Sequence, residues 1–378
     1  MVPARQLTVV ASNVAPVGGM ELAAFEISRR LLDRGWDLTV ISRSCALPPG
    51  PRLRFVRLRS PARPVSIALA VSAVGGTAAV RRHRRGLLWV HNSVLANRTD
   101  VLTLQFCERA YRALVGVPRN SRPTLAYRAA AELASLIDLT LETWLIRRRA
   151  RTVACVSGGL ASEVARFYPD GRARRTVIFN GVDRERFAPD PELGASTRRE
   201  LGLPEDAAVA VFVGGDWQRK NLAVAIDGVA RAPSWRLIVV GHGDQERFAA
   251  LADELGAAGR VHFVGRTDPR PYYAAADALL ATTGYEAFSL VTLEGAASGL
   301  ALVVSPVNGS DELVEEGVNG HVVTPEAGLV GERLEQLAGD RAALRAMGQA
   351  ARATSAAFDW ERITDAYEAL FAELGASA

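Results

Sequence analysis

At 378 residues the chain exceeds what one hydrophobic core usually supports, so two domains are expected, and a 49% hydrophobic content excludes an intrinsically disordered polymer. Its three cysteines, scattered and outside any metal-binding spacing, exclude a disulfide framework and are read as reduced thiols of a cytoplasmic protein. The formal charge of +4 conceals an asymmetry: residues 1–180 hold 28 Arg against 11 acidic residues, net +17, while residues 181–378 are net −13, so the first half is expected to face something anionic.

The chain opens on MVPARQLTVVAS, which reaches a strand-like run before any secretory apolar region, and no leader is expected. LTVVAS, then GGMELAAFEISRRLLDRG with apolar residues at helical spacing, then DLTVIS, make a βαβ unit. The longest apolar run, residues 65–80, is broken by Gly75-Gly76 and falls below the roughly 20 residues a bilayer requires; it is expected to be a buried helix. Two arginine clusters, RRHRR at 81–85 and RRRAR at 147–151, each follow a helix-like apolar stretch and would suit a basic rim on membrane-apposed helices, or simply solvated surface.

Strand and helix alternate again after VIFNGVDRERFAPDPELGA, where Asn, Gly, Asp and Pro interrupt the periodicity. The fold class is therefore α/β, with two doubly wound parallel-sheet domains at 1–182 and 183–356, and a last helix within 357–378 expected to cross back to the first domain. Ligands of such sheets sit beyond the strand C-termini.

In the second domain GYEAFSLVTLE places Glu286 just after a strand and Glu294 eight residues on, with a helix starting near Phe288 or Ser289. The free amides of that helix start, Phe288 to Val291, form an anion site. Glu294, one and a half turns in, leans back toward it because helical side chains tilt to the N-terminus. A diphosphate on the amides with hydroxyls on the two carboxylates describes a nucleotide-sugar, and the loop before the domain's first helix supplies the counter-charges, Arg219 and Lys220. Lys220 is the only lysine beside 44 arginines, which points to a site that wants a compact ammonium.

GGME at 18–21, VIFNGVDRERF at 177–187, VFVGGDWQRKNL at 211–222, Glu286-x7-Glu294 and GSDELVEEGVNGHVV at 309–323 stand in this order along the chain. By these motifs the chain resembles the retaining nucleotide-sugar glycosyltransferases of family four, whose GT-B fold sets two Rossmann-like domains facing across a cleft. The resemblance implies that Glu294 binds the ribose and Glu286 the donor sugar, and that Arg219 and Lys220 hold the diphosphate. Ala287, Phe288, Ser289, Leu290 and Val291 would contribute the phosphate-binding turn, Arg266 the base edge through its main chain, and Gly18 and Gly19 a close approach from the first domain. Lys220, Arg219 and Glu286 would carry the chemistry.

Two departures from the family pattern stand out. Gly215 occupies a position where relatives carry Arg, so Arg219 is expected to supply the second positive charge. Gln105 in LTLQFCE stands where relatives place a His; on the acceptor side it can hydrogen-bond a hydroxyl but cannot titrate.

The resemblance further implies a retaining, metal-independent transferase with no cofactor beyond the nucleotide-sugar. Its acceptor would be a saccharide or lipid-linked molecule, anionic to suit the first half, in cell-surface glycan synthesis such as that of lipopolysaccharide. Placement is expected in the cytoplasm, peripheral at the inner face of the membrane, with no nucleic-acid partner. A non-hydrolysing sugar-nucleotide epimerase and a non-catalytic basic membrane scaffold are the alternatives. A dehydrogenase is excluded because SNVAPVGGME at 12–21 fails the G-x-G-x-x-G spacing.

Overall fold

The computed structural model describes residues 5–61, 65–92, 95–116 and 125–376. They form two compact units, one of Met1–Asn180 with Trp360–Ala378, the other of Gly181–Asp359.

The first unit runs β1 (Gln6–Val10), α1 (Gly19–Asp33), β2 (Asp37–Ser42), β3 (Leu53–Arg57), α2 (Val65–His83), β4 (Leu87–His91), β5 (Thr99–Leu104), α3 (Glu108–Leu114), α4 (Leu125–Trp144), β6 (Ala150–Cys155), α5 (Gly158–Phe167) and β7 (Arg174–Val177). The second runs α6 (Pro191–Glu200), β8 (Ala208–Val213), α7 (Leu222–Ala230), β9 (Trp235–Val240), α8 (Gln245–Glu254), β10 (Val261–Gly265), α9 (Arg270–Ala275), β11 (Ala278–Ala281), α10 (Leu290–Ala297), β12 (Ala301–Val304), α11 (Ser310–Leu313), β13 (Gly320–Val322), α12 (Ala327–Ala338) and α13 (Arg341–Thr354). A final helix, α14 (Trp360–Ala376), belongs to the first unit.

Both sheets are parallel, in the orders β3-β2-β1-β4-β5-β6-β7 and β10-β9-β8-β11-β12-β13. Short Val- and Leu-rich runs buried on both faces form such strands, because helices cover each side. In the second sheet β8 lies between β9 and β11, where the winding reverses direction. That switch point opens a crevice at the strand C-termini. The loops leaving β8 and β11 are the ones that carry Arg219, Lys220 and Glu286.

The core of the second unit gathers Phe212, Trp235, Leu237 and Val239 from the sheet with Leu222, Ile226 and Val330 from the helices. That of the first joins Leu7, Val9, Val40 and Trp89 to Tyr367, Leu370 and Phe371 of α14. Trp89 lies 5.1 Å from Tyr367 and 5.6 Å from Phe371 between ring centroids, so α14 is an integral layer over this sheet. Burying one such aromatic contributes about 1.5–3 kcal/mol.

Helix α14 also alters the meaning of the charge asymmetry. Arg34 on the turn after α1 meets Glu361 at 2.6 Å and Asp365 at 2.7 Å, Arg30 meets Glu361 at 2.7 Å, and Arg174 pairs with Glu373. Part of the positive charge of residues 1–180 therefore answers the chain's own last helix rather than an external anion.

The expectation of a buried helix over residues 65–80 needs correction. Helix α2 forms, but Ile67 is 51% and Val74 74% exposed, with Val71 also exposed. Alanine and valine surround this helix, so its sequence lacks a polar side that would mark the solvent face. One side packs on α4 and β2, and the other stays open. Among the described residues no helix is long and apolar enough to cross a membrane.

Candidate active site

The loop from β8 to α7 begins with Gly214, whose φ of +145° is a conformation that L side chains rarely adopt. A Cβ there would stand 2.6 Å from Cδ of Lys220, so the lysine stem runs directly over this backbone. Gly215 is placed differently: a Cβ there would lie 2.9 Å from Cε1 of the exposed His242 side chain. Asp216 (φ 50°) and Asn221 (φ 53°) bracket the Arg219-Lys220 pair in the left-handed region, a conformation that non-glycine residues adopt where surrounding contacts hold them.

Those contacts come from the end of β11. Thr282 Oγ1 donates toward the carbonyls of Lys220 at 3.2 Å and Asn221 at 3.0 Å, and Gly284 N donates to the Arg219 carbonyl at 3.2 Å. With its backbone pinned, the pair converges on one carboxylate. Lys220 Nζ lies 3.1 Å and Arg219 Nη1 3.5 Å from Glu286 Oε1, while Arg219 also donates to the Tyr285 carbonyl at 3.1 Å. Lys220 and Glu286 are largely buried, which strengthens their interaction relative to one in open water.

Ser289 is the N-cap of α10, and its hydroxyl accepts from Thr292 N at 3.2 Å. The amides of Leu290 and Val291 lie in the first turn, which offers them no intrahelical acceptor. A small, mostly apolar hollow lies nearby, lined by Phe212, Val213, Leu280 and Ala281 of the strands together with Lys220, Thr282, Thr283, Ser289 and Val291. An anion at the start of α10 would meet helix amides on one side and the Lys220 ammonium on the other.

Glu294 sits deeper. Burial pushes its pKa up to about 7, opposed by the Tyr273 hydroxyl, which donates to Oε2 at 2.9 Å, and by the nearby charges of Arg186 and Lys220. Lys220 is thus close to both glutamates.

The structure therefore brings Arg219, Lys220, Glu286, Ser289, Leu290, Val291 and Glu294 to the ends of β8 and β11. Ala287 and Phe288 are buried in the same turn, Phe288 against Phe358 at 5.8 Å. Arg266 is exposed at the end of the edge strand β10 and forms no hydrogen bond with the Glu286 cluster. Thr282 and Tyr273 went unremarked in the sequence; a Thr-Thr pair ending a strand and a tyrosine in a short alanine-rich helix are the signals available.

In the first unit Gly18 is the extended N-cap of α1 and Gly19 its first residue. A Cβ on Gly18 would come 2.8 Å from Glu21 Oε2. Gln105 is buried, and its carboxamide exchanges two hydrogen bonds, of 2.7 and 2.8 Å, with Asn180. His91 ends β4 fully enclosed, with burial lowering its pKa to about 3, so it stays neutral near pH 7. Among the described residues no group of three or more metal-ligating side chains occurs.

Comparison with known proteins gives first the class. The chain superposes on WaaG, a glycosyltransferase involved in lipopolysaccharide biosynthesis, with TM-score 0.80 at 19% identity, covering 97% of this chain and 99% of that one. It also superposes on a sucrose-phosphate synthase from Thermosynechococcus elongatus (TM-score 0.81, 20% identity, 99% and 100% covered) and on Anabaena HepE in complex with UDP and glucose (0.72, 21%, 97% and 99%). At these identities the likeness establishes the two-domain GT-B fold. Residues 17–186 match the profile of Glycosyltransferase Family 4 and residues 195–354 that of Glycosyl transferases group 1, and the chain belongs to this glycosyltransferase family. D-inositol 3-phosphate glycosyltransferases of Mycobacterium tuberculosis and Mycobacterium bovis are 34% identical over 220 residues, 54% of this chain. The chain spans 45% of the length of these relatives.

Proposed function

We propose that the chain transfers a sugar, with retention of configuration, from a nucleoside-diphosphate sugar to a saccharide or lipid-linked acceptor of a bacterial cell-surface glycan. One observation carries this reading: Lys220 and Arg219 converge on Glu286 beside the free amides of α10, at the switch point of a parallel sheet. The diphosphate would take Lys220, Arg219 and the Leu290 and Val291 amides, while Glu286 turns to the sugar hydroxyls and Glu294 to the ribose.

The chemistry asked of the protein is electrostatic. As the anomeric bond lengthens, negative charge grows on the departing diphosphate, where a fixed ammonium and a helix N-terminus are already aimed. Front-face attack by an acceptor hydroxyl would then need no protein nucleophile. Because Lys220, Arg219 and the α10 amides already oppose the charge on the leaving group, a metal ion is not required in this scheme.

The acceptor is proposed to be anionic or borne on the cytoplasmic face of a membrane. The support is the open apolar side of α2 (Ile67, Val71, Val74), with exposed Leu133, Leu136 and Trp144 on α4, and arginines following each helix. WaaG, a structural neighbour, is involved in lipopolysaccharide biosynthesis.

The test is a coupled assay with UDP-, GDP- and ADP-sugars and candidate glycolipid acceptors. Nucleoside diphosphate released only when acceptor is present, and undiminished by EDTA, is the expected outcome. Turnover of the sugar nucleotide without any acceptor would support an epimerase instead.

A further inference from the structure

We infer that Tyr273 is a positioning residue for Glu294, holding that carboxylate with one oxygen occupied and the other turned to the vicinal hydroxyls of the donor's ribose. This rests on the reading above that Glu294 takes the ribose.

The geometry is specific. Tyr273 is 1% exposed, and its hydroxyl donates to Glu294 Oε2 at 2.9 Å. A buried phenol must find a hydrogen-bond partner, and this one has found the second glutamate of the site. Glu294 Oε1 receives no hydrogen bond from the described residues. Since a carboxylate offers about four lone-pair sites, three remain for a ligand.

The phenol is itself fixed by its short helix. Phe187 packs edge-on at 5.9 Å from the Tyr273 ring. Helix α6 approaches α9 so closely that a Cβ on Gly194 would lie 2.3 Å from the Ala274 carbonyl oxygen. Arg198 of α6 donates to the Ala275 carbonyl at 2.8 Å and pairs with Asp277 at 2.9 Å. Two helices thus brace one hydroxyl, which braces one carboxylate.

The arrangement has a chemical consequence. A carboxylate accepts from two ribose hydroxyls most strongly when ionised, and burial works against ionisation of Glu294. The Tyr273 hydrogen bond is the first influence opposing that, ahead of Arg186 and Lys220. Without the phenol the carboxyl gains a proton at higher pH, loses acceptor capacity and is free to leave its rotamer.

The test measures the dissociation constants of a nucleoside diphosphate and of its 2′-deoxy analogue between pH 6 and 9. The proteins are the wild type, Tyr273→Phe, Glu294→Gln and the double variant; the base is whichever of uracil, guanine or adenine the wild type prefers. Tyr273→Phe is expected to bind the ribonucleotide about tenfold more weakly at neutral pH, the scale of one hydrogen bond to a charged group. It should also lose most of the preference over the 2′-deoxy form and shift the low-pH loss of affinity to higher pH.

In the double variant no buried acid is left unpartnered, so it remains informative should the single variant not fold, and it is expected to match Glu294→Gln within about twofold. A further loss beyond Glu294→Gln, or unchanged ribose preference in Tyr273→Phe while Glu294→Gln has lost it, would overturn the inference and leave the role of Glu294 standing. Unchanged binding in Glu294→Gln would overturn both.

Discussion

Lys220 Nζ lies 3.1 Å from Glu286 Oε1, so the site's ammonium is paired with the site's own carboxylate. A diphosphate held at the start of α10 would exchange this pair for one of higher charge, freeing Glu286 for a hydroxyl. If Lys220 stabilises the leaving group, Lys220→Ala is expected to lower kcat/KM by about 2–4 kcal/mol of transition-state stabilisation, the scale of one preorganised donor. Steady-state kinetics with saturating acceptor would show it, and unchanged turnover would refute the role.

Gly214 offers a way to disturb Lys220 without touching its charge. A methyl group there would overlap the lysine stem at 2.6 Å, in a backbone conformation of φ +145°. Gly214→Ala is therefore expected to lose activity nearly as far as Lys220→Ala and to cost about 1–3 kcal/mol of stability in urea titration. Wild-type kinetics in this variant would show that the position of the stem is immaterial.

Much of this was legible in the sequence. The alternation of short apolar runs with helical periodicity yields both parallel sheets, and the loop positions of Arg219, Lys220 and Glu286 follow from strand ends alone. Long-range pairing was not legible. Nothing near Arg30 or Arg34 announces that Glu361 and Asp365, more than 300 residues away, will meet them. The face of α2 was equally hidden, because apolar residues surround that helix and periodicity marks no solvent side. Tyr273 and Thr282 act through hydrogen bonds to other site residues, a relationship that only the folded arrangement reveals.

The exposed apolar residues of α2 and α4 invite a direct check on membrane contact. In flotation with vesicles containing anionic lipid, the protein is expected to co-migrate, less so at raised salt. Val74→Glu together with Arg81→Ser and Arg82→Ser should abolish co-migration without altering nucleotide binding. Equal binding to neutral vesicles by wild type and variant would contradict a charge-assisted contact.

A pH dependence of stability follows from Glu142 of α4. Its carboxylate caps the start of α3, accepting from Glu108 N at 2.7 Å and Arg109 N at 3.2 Å, and takes the Tyr168 hydroxyl at 2.6 Å. Burial nonetheless pushes its pKa up to about 7 from the usual 4.5. The native state therefore holds this proton more tightly than the unfolded chain, so its contribution is fully present below about pH 4.5 and is lost as pH rises through about 7. Glu142→Gln is expected to flatten the stability profile across that window in chemical denaturation, and an unchanged slope would show that the group does not titrate there.

The most direct test of the central claim is calorimetric binding of a phosphate series to the wild type and to Lys220→Ala: nucleoside, nucleoside diphosphate and nucleoside-diphosphate sugar, across the three common bases. A grip on the diphosphate by Lys220, Arg219 and the α10 amides requires that affinity rise steeply from nucleoside to diphosphate in the wild type. That gain should fall at least tenfold in the variant, while the bare nucleoside binds both alike. Equal diphosphate affinity in the two proteins, or no gain over the nucleoside, would contradict it.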